Sequence, residues 1–400
     1  MLKSQAADRI QDYLVFGEFG GVNPSITDSS TYTFLSADKM TEIFEKEIEG
    51  CYLYSRHTNP SGHFLSQALA LMENTAAAHV TSSGMAAISV TILGLCSQGD
   101  EIISSRTIYG GTYALFQNVL PRFGINTHLV DIINLDEIKS KVNSKTKVIY
   151  LETMSNPMLE IADIQEIRKI ADACGAKIVV DNTFTPMLIT PYNLGADVVI
   201  HSLTKYINGA SDAVAGCICA DKNFIDSLKD VNTGTAMLLG PTLDSFRSAS
   251  ILKNLHTLHI RMMQHSKNAL YMAESLQKLG LRVIYPGLNN HPQYSLYKKI
   301  INANLGYGGM LTLDVKNDEI AHKLLPLMQE KLIGYFAVSL GFYKTLFSNP
   351  KNTTSSEIPE DIQNAVGMTG SIIRFSFGLD MDIERTLERM KECLAEVGLI

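Results

Sequence analysis

Asp197-Val-Val-Ile-His-Ser-Leu-Thr-Lys-Tyr206 is the stretch on which the reading of this 400-residue chain turns. Its first half is a short β-branched apolar run, the pattern of a strand buried on both faces. Its second half leaves the strand carrying two hydroxyls, Ser202 and Thr204, and one lysine, Lys205. Just upstream, Ala176-Lys-Ile-Val-Val-Asp-Asn-Thr183 is another apolar run, ending in the carboxylate of Asp181. Working outward, short apolar runs at 78–81, 101–104, 127–130, 147–151 and 216–219 read as further strands, giving seven in all. Amphipathic stretches at 115–123 and 164–174 show helical spacing between them. Such alternation from about Leu65 to Asp221 predicts right-handed crossovers and an α/β fold, a mostly parallel seven-stranded sheet with helices on both faces. Ligands of such sheets collect at the carboxyl ends of the strands.

The flanks read differently. The first fifty residues or so, with Gly-Glu-Phe-Gly-Gly at 17–21, suggest an extended arm. After Asp221 a helical region runs to about Leu279, and the remainder reads as a smaller α+β domain. Its strand candidates are 283–285, 310–315, 337–339 and 372–377, and its helix candidates are 323–330 and 384–396. A chain of this length calls for two or three core-forming units.

Composition narrows the function classes. The net charge of −7 arises from mixed signs without a basic block, which gives no support to a nucleic-acid or anionic-membrane partner. No apolar run reaches bilayer length, and Met1–Ile10 lacks the order of a signal peptide. Six scattered cysteines read as reduced thiols of a cytoplasmic protein. Cys217 and Cys219 lack a second pair to complete a zinc site and read as core residues. His256, His259 and His265 recur at helical spacing with no Cys or carboxylate beside them, so they read as a helix surface. No metal is expected.

Four segments carry chemistry. Lys205 is an amine able to form an imine with an aldehyde once its pKa falls, although the segment alone reads equally as a strand-end lysine in solvent. At Ser82-Ser83-Gly84-Met85 a strand passes into a helix whose first N–H groups suit a phosphate; a plain serine N-cap is the competing reading. Asp181, ending an apolar strand, needs a partner such as a protonated pyridine nitrogen, unless it caps a helix. Tyr109-Gly110-Gly111-Thr112 offers an aromatic ring to stack on a planar cofactor. A Gly-x-Gly-x-x-Gly or P-loop after an early strand is absent, which argues against a nucleotide-binding protein.

In this order the segments resemble the cystathionine/methionine-metabolism family of fold-type I pyridoxal 5′-phosphate (PLP) enzymes, from about Tyr54 to Asp380. The resemblance implies an N-terminal arm, 1–62, reaching a neighbouring subunit, a large PLP-binding domain, 63–256, and a small C-terminal domain, 257–400. It implies that Tyr54 and Arg56 reach the cofactor phosphate of that neighbour. Ser83, Gly84 and Met85 match the phosphate loop, Tyr109 the stacking tyrosine and Asp181 the pyridinium partner. Ser202, Thr204 and Lys205 match the hydroxyl pair and Schiff-base lysine. Asn156, Ser339 and Arg374 match residues that hold the substrate α-carboxylate. A homotetramer built as a dimer of dimers, acting on a small sulfur amino acid, is implied.

Within the family, Val338 stands where cystathionine γ-lyases and γ-synthases carry Glu, which disfavours cystathionine as substrate. Asn182–Pro186 and Ala337–Gly341 look more like methionine γ-lyases, and Thr354-Ser355-Ser356-Glu357 resembles their plant-type branch, as does Gly111. Phe342-Tyr343 replaces a pair that is usually small or acidic. The expected reaction is γ-elimination of methanethiol from L-methionine, the alternatives being an O-acylhomoserine sulfhydrylase or a cystathionine γ-lyase or γ-synthase. Lys205 is the expected general base and acid. Tyr109, its phenol pKa lowered by neighbours such as Arg56, is the expected donor of a proton to the departing sulfur.

Overall fold

The computed structural model describes residues 5–34, 36–45, 48 and 50–400; residues 1–4, 35, 46, 47 and 49, which fall within the expected arm, lie outside the described residues. Seven strands, β1 (Ala77–Thr81), β2 (Glu101–Ser105), β3 (Asn126–Val130), β4 (Thr146–Glu152), β5 (Lys177–Asp181), β6 (Val198–Ser202) and β7 (Gly216–Ala220), form one sheet. Their order is β1-β7-β6-β5-β4-β2-β3, parallel except that β7 runs against both β1 and β6. The mostly parallel seven-stranded α/β sheet expected from the sequence is thus present.

One crossover shows how local chemistry builds it. Asp163 caps the Ile164–Cys174 helix by accepting the Glu166 N–H, and Gly175 ends it in the left-handed region at φ 74°. Ile164, Ile167, Ile170 and Ala171 fall on the buried face. The chain then enters β5, whose Ile-Val-Val run is buried. Successive strand residues face opposite cores: Ile149 and Leu151 join one cluster, Val148 and Tyr150 the other. Each fully buried aliphatic side chain contributes about 1.5–3 kcal/mol, so both sheet faces need their helices.

A second sheet has the order β10-β11-β12-β9-β8. Its strands are β8 (Arg282–Ile284), β9 (Met310–Asp314), β10 (Tyr335–Phe336), β11 (Leu346–Ser348) and β12 (Ile372–Ser376). It has its own core with the Asp318–Glu330 and Ile383–Glu396 helices. Among the described residues no helix is long and apolar enough to cross a membrane.

Several expectations fail locally. Residues 337–339 are not a strand: β10 ends at Phe336, and Ser339 adopts φ 142°, a region that non-glycine residues occupy only under strain. β11 escaped notice because three residues are too few to show alternation. The helix expected over 115–123 is a π turn, Leu115–Val119, followed by a 3-10 turn, Leu120–Phe123, where Pro121 has no N–H to continue an α-helix. His265 is not on a helix surface but buried, its Nδ1 2.6 Å from the Phe377 carbonyl. The N-terminal segment is not wholly extended either, since the Ala6–Gln11 helix buries Ala6 and Ile10 and Arg9 donates to the Met72 carbonyl at 2.8 Å. Cys217 and Cys219 are core residues.

A polar network is buried beneath the carboxyl edge of the first sheet. Glu73, at the end of the Pro60–Glu73 helix, has one oxygen 2.7 Å from His201 Nε2 and accepts Asn182 Nδ2 at 3.1 Å. Asn182 Oδ1 accepts the Thr153 and Thr185 hydroxyls at 3.0 and 2.6 Å. These residues adjoin Asp181 and Ser202, so the network braces the ends of β4, β5 and β6. Burial pulls the His201 pKa down, but the hydrogen bond and charge of Glu73 outweigh it and raise the pKa above 6.5. A raised histidine stabilises fully below the unfolded value and loses that contribution as pH rises through the folded one. Urea unfolding should therefore show lower stability at about pH 9 than at about pH 6, with the difference reduced in Glu73→Gln. Glu73→Ala, which leaves His201 buried without its partner, should lose about 3–5 kcal/mol. A pH difference unchanged in Glu73→Gln would show that His201 is not its source.

Candidate active site

Because β4, β5 and β6 are parallel and in register, Glu152, Asp181 and Ser202 arrive at the same edge of the sheet. Beyond β6 the chain turns, with Asn208 N–H bonded to the Leu203 carbonyl at 2.9 Å. Leu203, Tyr206 and Ile207 anchor this turn in the core, which leaves Thr204 and Lys205 facing a cavity of about 340 Å³. The second sheet closes that cavity with Arg374 from β12 and with Val338 and Ser339 from the loop after β10.

Of the residues singled out in the sequence, Ser83, Gly84, Met85, Tyr109, Asn156 and Asp181 line this one cavity. Ser202, Thr204, Lys205, Val338, Ser339 and Arg374 line it as well. Tyr54 and Arg56 do not. They lie on a separate loop, Arg56 stacked 5.7 Å from the Tyr54 ring and donating to the Met237 carbonyl at 2.8 Å.

The mouth of the Gly84–Leu95 helix opens at Ser202. Ser83 is its N-cap and accepts the Ala86 N–H at 3.0 Å, so the capping reading is correct, and the same geometry points the helix N-terminus into the cavity. A Cβ on Gly84 would stand 2.9 Å from Ser202 Cβ, so only glycine lets the helix approach this closely. Thr204 Oγ1 accepts the Ala215 N–H at 3.0 Å, which holds that hydroxyl in place.

Lys205 Nζ donates to Ser339 Oγ at 3.0 Å. Burial, and next the charge of Arg374, push its pKa down to about 8, so it is not a lysine in solvent. Arg374 is buried, with its pKa pulled down to about 10 by that burial. It donates to Asn156 Oδ1 at 2.9 Å and to the Ser339 carbonyl at 3.3 Å, while its Nε has no hydrogen-bond partner among the described residues. A buried guanidinium with a spare N–H and no carboxylate bonded to it is built to receive an anion.

The opposite wall is acidic. Asp181 caps no helix; it ends β5 and accepts the Thr183 N–H at 2.9 Å. Burial raises its pKa. Glu152 was missed in the sequence, although it ends an apolar strand just as Asp181 does. It lies opposite Asp181 across the sheet register, and burial and then the charge of Asp181 raise its pKa well above the usual range. Within its own chain the Tyr109 phenol pKa is raised, by burial and then by Glu357 and Glu152; Arg56, expected from a neighbouring subunit, has no part in that sum. A raised phenol stays protonated at neutral pH, which suits a proton donor.

The residues present fit a phosphorylated pyridine aldehyde. They set a helix N-terminus and a hydroxyl for phosphate, a buried carboxylate for a ring nitrogen and a half-exposed tyrosine for a ring face. An amine of lowered pKa stands ready for the aldehyde. Comparison with known proteins agrees. Residues 11–395 match the family described as Cys/Met metabolism PLP-dependent enzyme. The methionine gamma-lyase of Arabidopsis thaliana is 42% identical over 91% of this chain and 84% of its own length. The cystathionine beta-lyase of Lactococcus lactis subsp. cremoris is 37% identical over 94% of each chain. A Campylobacter jejuni structure described as an O-acetylhomoserine (thiol)-lyase superposes with a TM-score of 0.91 at 29% identity, covering 98% of this chain and 100% of its own. That structure contains a pyridoxyl-lysine monophosphate at its position 205.

If Lys205 is the amine that captures the aldehyde, capture of PLP by the apoprotein should rise with pH around a midpoint near about 8. An ordinary lysine would place that midpoint above about 10. Borohydride reduction and peptide mapping should then place the label on Lys205. Label on another lysine would reject the assignment.

Proposed function

The chain belongs to the Cys/Met metabolism PLP-dependent enzymes, and on that premise we propose that it eliminates methanethiol from L-methionine, with water, to give 2-oxobutanoate and ammonia. The chain uses PLP, and its chemistry is the PLP-dependent γ-elimination and transsulfuration of this family. The observation that carries the finer reading is that Val338, with Met85 and Leu340, is among the cavity's lining, an apolar side chain that suits a thioether and gives a distal ammonium no partner.

PLP, when bound, supplies an aldehyde for the substrate amine and a protonated ring that accepts electrons. Arg374, braced by Asn156 and the Ser339 carbonyl, grips the α-carboxylate and aligns the α-C–H bond. Lys205 Nζ removes the α-proton and moves protons between carbon atoms as base and then acid. Asp181 keeps the ring nitrogen protonated, and its burial strengthens that charge interaction. Ser83, Gly84 and Met85, at the helix mouth, with Ser202 and Thr204, hold the phosphate. The Tyr109 hydroxyl protonates the departing sulfur.

The arm over residues 1–62 supplies Tyr54 and Arg56 to the phosphate of a neighbouring subunit in a homotetramer built as a dimer of dimers. In support, both residues lie outside the Lys205 cavity of their own chain. Residues 63–256 then form the cofactor domain and 257–400 the small domain. The free cysteines among the described residues support a reducing, cytoplasmic setting.

The Campylobacter likeness favours a second reading more directly than it favours methionine: an O-acylhomoserine sulfhydrylase, which shares the elimination but captures the product of C–O cleavage with a sulfur nucleophile. The cystathionine beta-lyase relative keeps cystathionine chemistry within range too. Product assays with L-methionine, L-cystathionine, and O-acetylhomoserine plus sulfide separate all three.

If Val338 sets the preference, Val338→Glu should shift the ratio of specificity constants toward cystathionine by about ten- to a hundredfold, the worth of one charge contact in a partly hydrated site. A wild type that prefers cystathionine outright would overturn the methionine assignment. Arg56→Ala and Lys205→Ala proteins, nearly inactive alone, should regain activity when refolded together, because mixed oligomers contain sites with neither lesion. Mixed oligomers without activity would place Arg56 in its own subunit's structure instead.

A further inference from the structure

Tyr109 is the N-cap of a helical run, its carbonyl accepting the Tyr113 N–H at 3.0 Å. The helical run it begins, Gly110–Ala114, continues through the Leu115–Val119 and Leu120–Phe123 turns, and the Tyr109 side chain makes no capping bond. Its residue surface is 43% exposed, so packing covers the ring only in part. Its backbone is pinned from below: the Tyr109 N–H donates to Glu152 Oε1 at 2.7 Å. The carboxyl of Glu152 also accepts the backbone N–H of Asn156, whose side chain holds Arg374. One buried carboxyl therefore ties the backbone that carries the Tyr109 ring on one side of the cavity to the residue that holds Arg374 on the other.

We propose that Glu152 is a positioning residue, a hydrogen-bond acceptor that sets the Tyr109 ring over the cofactor plane and fixes Asn156 beside Arg374. Its place opposite Asp181 in the sheet explains why it can do this without disturbing the ring nitrogen. Two buried carboxyls side by side do not both ionise, and the group with the strongly raised pKa keeps the proton. Glu152 then works as a neutral acceptor, and the single negative charge stays with Asp181. The proposal holds for any γ-substituted amino acid and so stands apart from the choice of methionine.

Glutamine keeps the acceptor oxygen and cannot ionise, which makes it the discriminating substitution. In holoenzyme without substrate, visible circular dichroism of the bound PLP reports the seating of the ring. Glu152→Ala should weaken that signal and lower kcat/KM by about ten- to a hundredfold, as expected when a buried donor loses its acceptor. Glu152→Gln should restore the dichroism and bring kcat/KM to within about threefold of wild type. A Glu152→Gln protein as impaired as Glu152→Ala would show that a single neutral acceptor oxygen does not suffice and overturn the proposal. Wild-type dichroism and kinetics in Glu152→Ala would overturn it as well. The dichroism is read before any amino acid is added, so a wrong substrate assignment leaves this result intact.

Discussion

Charge buried at the carboxyl edge of the first sheet is the constraint that organises this molecule. One wall of the cavity carries Asp181 and Glu152, the other Lys205 and Arg374. No direct ion pair among the described residues joins Asp181 or Glu152 to Lys205 or Arg374; the link between the walls runs through Asn156, so the charges are left to be answered by something that enters between them. Burial makes the arrangement chemical rather than structural. It lowers Lys205 until the free amine is accessible near neutral pH, and, with the charge of Asp181, it raises Glu152 well above the usual carboxyl range.

Keeping such groups in place requires support that does not itself yield. Below the edge, Glu73, His201 and Asn182 lock the ends of β5 and β6 to the Pro60–Glu73 helix. Across the cavity, the second sheet is fastened to the loop after β4 by the Arg374–Asn156 bond and by the Thr312 hydroxyl, which donates to the Pro157 carbonyl at 2.7 Å. Ser339 is held between these supports in a strained conformation, its hydroxyl on Lys205 and its carbonyl on Arg374. The strain persists because both neighbours over-determine its position. Gly341, whose N–H is held by Ser376, presses the same loop against Tyr206.

The family's relatives divide among lyases and a sulfhydrylase on one scaffold, and the physical reason lies in how the cavity is divided. In the proposed mechanism most groups assigned to proton, phosphate and carboxylate come from strands and a helix mouth, where backbone geometry dictates position. The proposed contact to the distal part of a substrate comes from the loop around Val338, where one side chain changes the surface without moving the framework.

What the sequence determined by itself was local. Alternating apolar runs and capped helices set the first sheet, and a carboxylate or lysine stranded at the end of such a run announced Asp181 and Lys205, because an apolar strand has no use for a charge. The same rule would have found Glu152. Only the tertiary structure decided the rest. It brought Arg374 to Asn156 and Ser339 to Lys205, turned the expected strand at 337–339 into a strained loop and buried His265 against the Phe377 carbonyl just past the last strand. It also buried the Tyr109 phenol within its own chain near Glu357 and Glu152, and burial, then those charges, raise its pKa. Desolvation and charge at a site are sums over neighbours distant in the chain, and no local pattern of residues carries that sum.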